Sequence, residues 1–99
     1  MINIQEGFTY MKAVLTVIGK DKRGIIARVS GALYEVGANI EDVSQTVMRD
    51  YFVMIMMADL SSCKLKISEV SEITDRLAAE IGVSIKLQHE DIFNTMHKV

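Results

Sequence analysis

The stretch VIGKDKRGIIARVSGALYEVGANI, residues 17–40, decides the fold. It reads as the end of a strand, the loop Gly19-Lys20-Asp21-Lys22-Arg23-Gly24, an amphipathic helix, and Gly37-Ala38-Asn39-Ile40 opening a second strand. Ile25, Ile26, Val29, Leu33 and Val36 recur at helical steps and give one apolar stripe. Ser30, Gly31 and Ala32 are small enough to let that helix approach a sheet closely, and Gly37 stands where a helix ends in a left-handed residue. The loop sets backbone N–H donors without intrahelical partners at a helix N-terminus, where the helix dipole favours negative charge. Such a place suits a small anion. The same composition also fits an ordinary strand-to-helix turn, and the loop alone does not separate the two.

Upstream, Ala13 to Ile18 is apolar except at Thr16, the pattern of a central strand covered on both faces. Residues 1–11 have no clean period and read as an arm, with Met11 an alternative start. Downstream, the second strand runs from Ala38 to about Met48. Ala38 and Ile40 share one parity and Val43 and Val47 the other, which places a bulge at Glu41-Asp42 on an edge strand. Arg49-Asp50 is short enough for a hairpin turn, and Tyr51 to Ala58 is an uninterrupted apolar run that reads as a buried strand.

Ser68 is the expected N-cap of a second helix, with Glu69 and Glu72 in its first turn. Val70, Ile73, Leu77, Ala78 and Ile81 form its stripe and Gly82 ends it. Val83, Ile85 and Leu87 alternate with polar residues, as in a strand with one wet face. Glu35-Val36-Gly37-Ala38-Asn39-Ile40 is echoed by Glu80-Ile81-Gly82-Val83-Ser84-Ile85, so one βαβ unit follows another. With right-handed crossovers this predicts an α+β, ferredoxin-like βαββαβ fold. Its antiparallel sheet has the order 4-1-3-2 and both helices on one face. Asp91 is expected to cap a short terminal helix within residues 91–99, with Ile92, Phe93 and Met96 turned inward. Because the central strands are apolar on both faces, that helix and a second subunit are expected to cover the second face. A homodimer or larger assembly follows.

Composition narrows the function classes. Ninety-nine residues make one domain, and the formal charge of −2 with mixed signs argues against a nucleic-acid backbone binder. Cys63 is the single cysteine, which fits a reducing cytoplasm, and no run reaches transmembrane length. His89, Glu90, Asp91 and His97 lack a metal-ligand spacing and read as capping and surface residues, so neither metal nor cofactor is expected. No nucleophile-bearing motif is assembled, which argues against an enzyme. RNA-binding modules share the element order but need aromatic and basic residues along the central strands, and here Tyr51 and Phe52 stand only at one end. Arg23 keeps a phosphate-binding loop of the acylphosphatase kind as a minor alternative. Met54, Met56 and Met57 read as core or interface.

Gly19, Asp21, Arg23-Gly24-Ile25-Ile26, Val29, Leu33 and Gly37-Ala38-Asn39-Ile40 together resemble the opening half of an ACT domain, and the resemblance extends over about residues 12–90. The ending His89-Glu90-Asp91-Ile92-Phe93-Asn94, with Met96-His97, resembles small stand-alone bacterial ACT proteins of unassigned role. The resemblance implies a regulatory module that binds an amino acid or similar small ligand at the strand-to-helix loop, near a contact between paired domains. It implies Gly19, Asp21, Gly24, Ile25, Ile26, Asn39 and Ile40 as ligand-binding residues. Asp21 falls where the family often has Asn or Asp, and Gly24 matches the glycine before the helix. Arg23 departs from a frequent proline. Gly19 stands where serine-binding members carry a side-chain ligand. The chemistry is compatible with an amino acid: the N–H groups of Gly24, Ile25 and Ile26 suit its carboxylate and Asp21 its ammonium. Asn39 offers both a donor and an acceptor, to a ligand or to a partner chain. A protein-interaction subunit with no working ligand site is the alternative.

Overall fold

The computed structural model describes residues 11–20 and 24–91. The expected arm and terminal helix fall largely outside this range, as do Asp21, Lys22 and Arg23. The elements run β1 (Lys12–Gly19), α1 (Ile25–Glu35), β2 (Asn39–Met48), β3 (Tyr51–Asp59), α2 (Ile67–Ile81) and β4 (Ser84–His89). They form one antiparallel sheet in the order β2-β3-β1-β4, the order expected from the pattern of doubly apolar and half-polar runs. The fold is ferredoxin-like.

Register fixes the faces. Ala13, Leu15 and Val17 of β1 pair with Ala58, Met56 and Met54 of β3. All six are buried in one cluster with Ile25, Val29 and Leu33 of α1 and Leu77 and Ala78 of α2. Both helices therefore cover the same sheet face. On the opposite face Val14 is fully buried, whereas Val53, Ile55 and Met57 are half-buried.

Helix ends follow from local chemistry. Gly24 precedes α1 at φ 75° and Gly37 follows it at φ 86°, conformations in which a Cβ is strained. Gly82 closes α2 at φ 74°, and its N–H donates to the carbonyl of Ala78. The start of α2 differs from expectation. Lys66 is the N-cap and Ser68 lies inside the first turn. The Glu69 carboxylate reaches back to accept the Lys66 backbone N–H at 2.8 Å, so the acid three residues on settles where the helix begins.

Two further readings of the helical stripes are corrected. Thr74, which periodicity overlooked, is buried in α2 because its hydroxyl donates to the Ser71 carbonyl at 2.9 Å. Gly31 does not face the sheet. With Ala27, Arg28 and Leu77 it lines a cleft between the helices, and Arg28 also pairs with Glu80 of α2 at 2.6 Å.

Candidate functional site

The first half of the site is the end of β1 and the start of α1. Gly19 is buried, and a Cβ built on it would lie 2.6 Å from Cγ1 of Val83 and 3.4 Å from Cδ1 of Ile25. Packing alone therefore requires glycine at this position. Gly24 is the opposite case: no described residue lies within 4 Å of its would-be Cβ, and its left-handed backbone is what disfavours a side chain.

Having no side chain, Gly24 cannot cap α1, and no acidic residue stands in the first turn. The Gly24 carbonyl accepts the N–H of Arg28 at 2.9 Å, the first bond of the helix. The N–H groups before it have no carbonyl one turn back within the helix. Ile25 puts its side chain in the core, whereas Ile26 is 39% exposed. Ile26 lies on the flank of α1 away from Arg28 and α2, and therefore toward β2. Lys20 Nζ sits 5.6 Å from the centroid of the Tyr51 ring, a cation–π contact that ties loop to hairpin.

Asn39 and Ile40 stand elsewhere. Gly19 pairs with Phe52 at one end of β3, and Asn39 pairs with Asp59 at the other. Seven steps along β3 at about 3.3 Å each separate the two ends by about 23 Å. Within one chain Gly19, Gly24, Ile25 and Ile26 come together, and Asn39 and Ile40 do not join them. Topology is the reason. β1 and β2 both run antiparallel to β3, so they run parallel to each other and the start of β2 lies beside the start of β1.

The Asn39 end has its own character. Lys12 Nζ donates to both carboxylate oxygens of Glu41, at 2.8 and 2.7 Å, and lies 3.9 Å from Asp59. These contacts, the Glu41 hydrogen bond first, raise the Lys12 pKa above its ordinary 10.5. Hydrogen bonds from Ser61 hold the Asp59 carboxyl below its ordinary 3.8. Burial pushes the pKa of the nearby Cys63 thiol above its ordinary 9.0. A cleft of about 440 Å³ opens beside Gly37, lined by Tyr34, Ser62, Lys64 and Leu65. Among the described residues, no group of three or more His, Cys, Asp or Glu comes together. No described helix is long and apolar enough to cross a membrane.

Apolar surface along β2 is the feature that periodicity missed. Val43 and Val47 pair with Met56 and Phe52 and so lie on the helix-covered face, yet they are 39% and 59% exposed. The helices stop short of the outer strand. The signal was present in the expected strand order, because β2 is an edge and two helices over four strands leave its flank bare.

The chain matches the ACT domain family over residues 12–88. It is similar to a UPF0237 protein of Clostridium acetobutylicum, with 53% identity over 89 residues, 90% of this chain and all of the relative. Among solved structures it is similar to an ACT domain protein from Streptococcus pneumoniae: 40% identity, TM-score 0.76, 85% of this chain and 94% of the other covered. It is also similar to the regulatory subunit of aspartate kinase from Thermus thermophilus, at 28% identity and TM-score 0.61, over 79% of this chain and 50% of that one. With that fold, that strand order and those glycines, this chain belongs to the ACT domain family.

Proposed function

We propose that this protein is a non-enzymatic regulatory module. It binds an amino acid or similar small ligand at the β1–α1 loop, beside a contact between two copies of the chain. The observation that carries this reading is the start of α1, which follows a left-handed glycine and, among the described residues, has no side-chain cap. Its backbone N–H groups suit a ligand carboxylate, and Asp21 in the same loop suits the ammonium.

A second copy accounts for both the bare flank of β2 and the separation of Asn39 from the loop. Strand β2 has β3 on one side only, and Val43, Val47 and Ile26 leave an apolar border beside its free edge. Edge pairing suits this surface better than packing of the opposite face, where Val14 is buried, Val53, Ile55 and Met57 are half-buried, and the exposed apolar residues Ile18 and Tyr51 stand at one end. Two-fold antiparallel pairing centred on Ser44 or Gln45 keeps like faces together. It sets Val47 opposite Glu41 (centre Ser44) or Val43 (centre Gln45) of the second copy, so the Asn39–Ile40 end of one chain joins the loop end of the other. The residues that one chain holds apart would then form one composite site.

The test is a thermal-shift screen of the common amino acids, followed by sedimentation with and without any hit. A true ligand at a hundred times its Kd stabilises by about 2.7 kcal/mol and raises Tm accordingly. A second reading, an oligomerisation subunit with no working ligand site, draws on Gly19, where Val83 fills the space a ligand would enter. Self-association without any thermal shift would favour it.

A further inference from the structure

Strand β2 carries one residue more than its partner. Ile40 pairs with Ala58 and Asp42 with Met57, which leaves Glu41 without a residue opposite on β3. That extra residue reverses the parity of everything after it. Ile40 and, past the bulge, Val43, Gln45 and Val47 face the helix side, whereas Asp42, Ser44 and Thr46 face away. Without the bulge the faces would exchange, and the apolar border beside α1 would be replaced by Asp42, Ser44 and Thr46.

The carboxylate of that bulged residue reaches across β3 to a lysine on β1. Lys12 Nζ donates to both Glu41 oxygens, with side chains 29% and 34% exposed. Asp59, on the intervening strand, stands 3.9 Å from the same ammonium. Lys12, Asp59 and Asn39 share one row of the sheet. The outer strand needs such a tether, because apart from Ile40 every residue of β2 is exposed and little apolar burial pins its register.

We infer that Lys12 is a positioning residue: by holding Glu41 across the sheet it fixes the β2 bulge, and so selects the apolar face of the edge strand for a second copy of this chain. The register claim stands on this chain alone. Its consequence for self-association rests on the dimer reading above.

The test compares the full chain with Lys12→Met, Lys12→Arg and Glu41→Gln by amide hydrogen exchange and methyl nuclear Overhauser contacts. In the parent, Val43 methyls contact Met56. In Lys12→Met that contact should weaken, and amides of residues 42–48 should exchange at least about tenfold faster, while β1, β3 and β4 keep their protection. Glu41→Gln should act in the same direction. Lys12→Arg, which can grip the carboxylate with a planar fork, should restore both signals to within about twofold of the parent. Unchanged exchange and contacts in Lys12→Met overturn the inference, as does equal loss in every strand, which would mean a global stabilising role. Sedimentation of the same variants tests the dimer reading separately: a register change without weaker association would sink that reading and leave the tether standing.

Discussion

The two ends of the sheet solve different problems. At the Gly19 end the chain is held by packing and backbone: Val83 against Gly19, Ile25 in the core, and a left-handed Gly24 as the N-cap of α1. At the Asn39 end it is held by charge, with Lys12 gripping the bulged Glu41 beside Asp59. The first end places N–H donors at a helix start behind a glycine, as an anion site requires. The second spends its polar groups on one another, as a strand anchor requires. One chain thus holds the proposed recognition end and an anchoring end about 23 Å apart, by the rise of an extended strand. A two-fold assembly is the means by which the ends could meet.

Breaking that assembly should have the largest effect. Replacing both Val43 and Val47 with Asp puts carboxylates on the apolar border and, in the pairing centred on Gln45, opposite one another across the two-fold edge, where like charges cost several kcal/mol. Self-association should weaken by about a hundredfold or more, with the monomer still folded because both positions are already partly exposed. Sedimentation velocity with circular dichroism checks both halves of the statement.

Next in size is Asp21→Asn. The change keeps shape and an acceptor but removes the charge expected to meet a ligand ammonium, a contact worth about 1.5–3 kcal/mol. Affinity for the best amino-acid hit should drop about tenfold or more in calorimetry, with Tm nearly unchanged. Tighter binding would instead mark a purely anionic ligand, relieved of repulsion beside Lys20, Lys22 and Arg23.

Gly24→Val sharpens the contrast between the two glycines. No described neighbour obstructs the new side chain, so the cost is that of a left-handed backbone, about 1–2 kcal/mol by denaturant titration, and binding should fail because the loop can no longer be approached closely. Gly19→Val, by contrast, should disturb Val83 and Ile25 directly. Equal behaviour of the two variants would remove the distinction between a packed glycine and a conformational one.

The smallest effect belongs to the anchoring end. The Asp59 carboxyl is held below its ordinary 3.8, so its contribution to stability is complete above that value and lost as the pH falls through the lower folded-state pKa. Urea midpoints measured from pH 6 to pH 2 should show this loss in the parent, and Asp59→Asn should remove that component of the slope.

Much of this was legible in the sequence because the signals are local. Gly37 and Gly82 mark helix ends, doubly apolar runs mark central strands, and the parity switch between Ile40 and Val43 marks the bulge. The Lys66 cap was missed because serine is an intrinsic capping residue, and only the reach of Glu69 moves the helix start. The role of Gly19 was hidden because Val83 meets it from a distant part of the chain. The separation of Asn39 from the loop was implied by the strand order, since a crossover returns the chain to the other end of the sheet before β2 begins. Family likeness grouped these residues as one site, and topology assigns them to opposite ends. Nothing local announces the Lys12–Glu41 tether, which spans a strand that contributes neither partner.

The most direct test of the composite site is complementation. Gly24→Val disables the loop end and Asn39→Ala the other, so each homodimer lacks both sites. A mixed dimer has one doubly damaged site and one intact site. After unfolding and refolding an equimolar mixture, calorimetry with the best amino-acid hit should recover about a quarter of the parental capacity at near-parental affinity, as random two-fold pairing requires. A mixture that binds no better than either variant alone would contradict the account and return the site to a single chain.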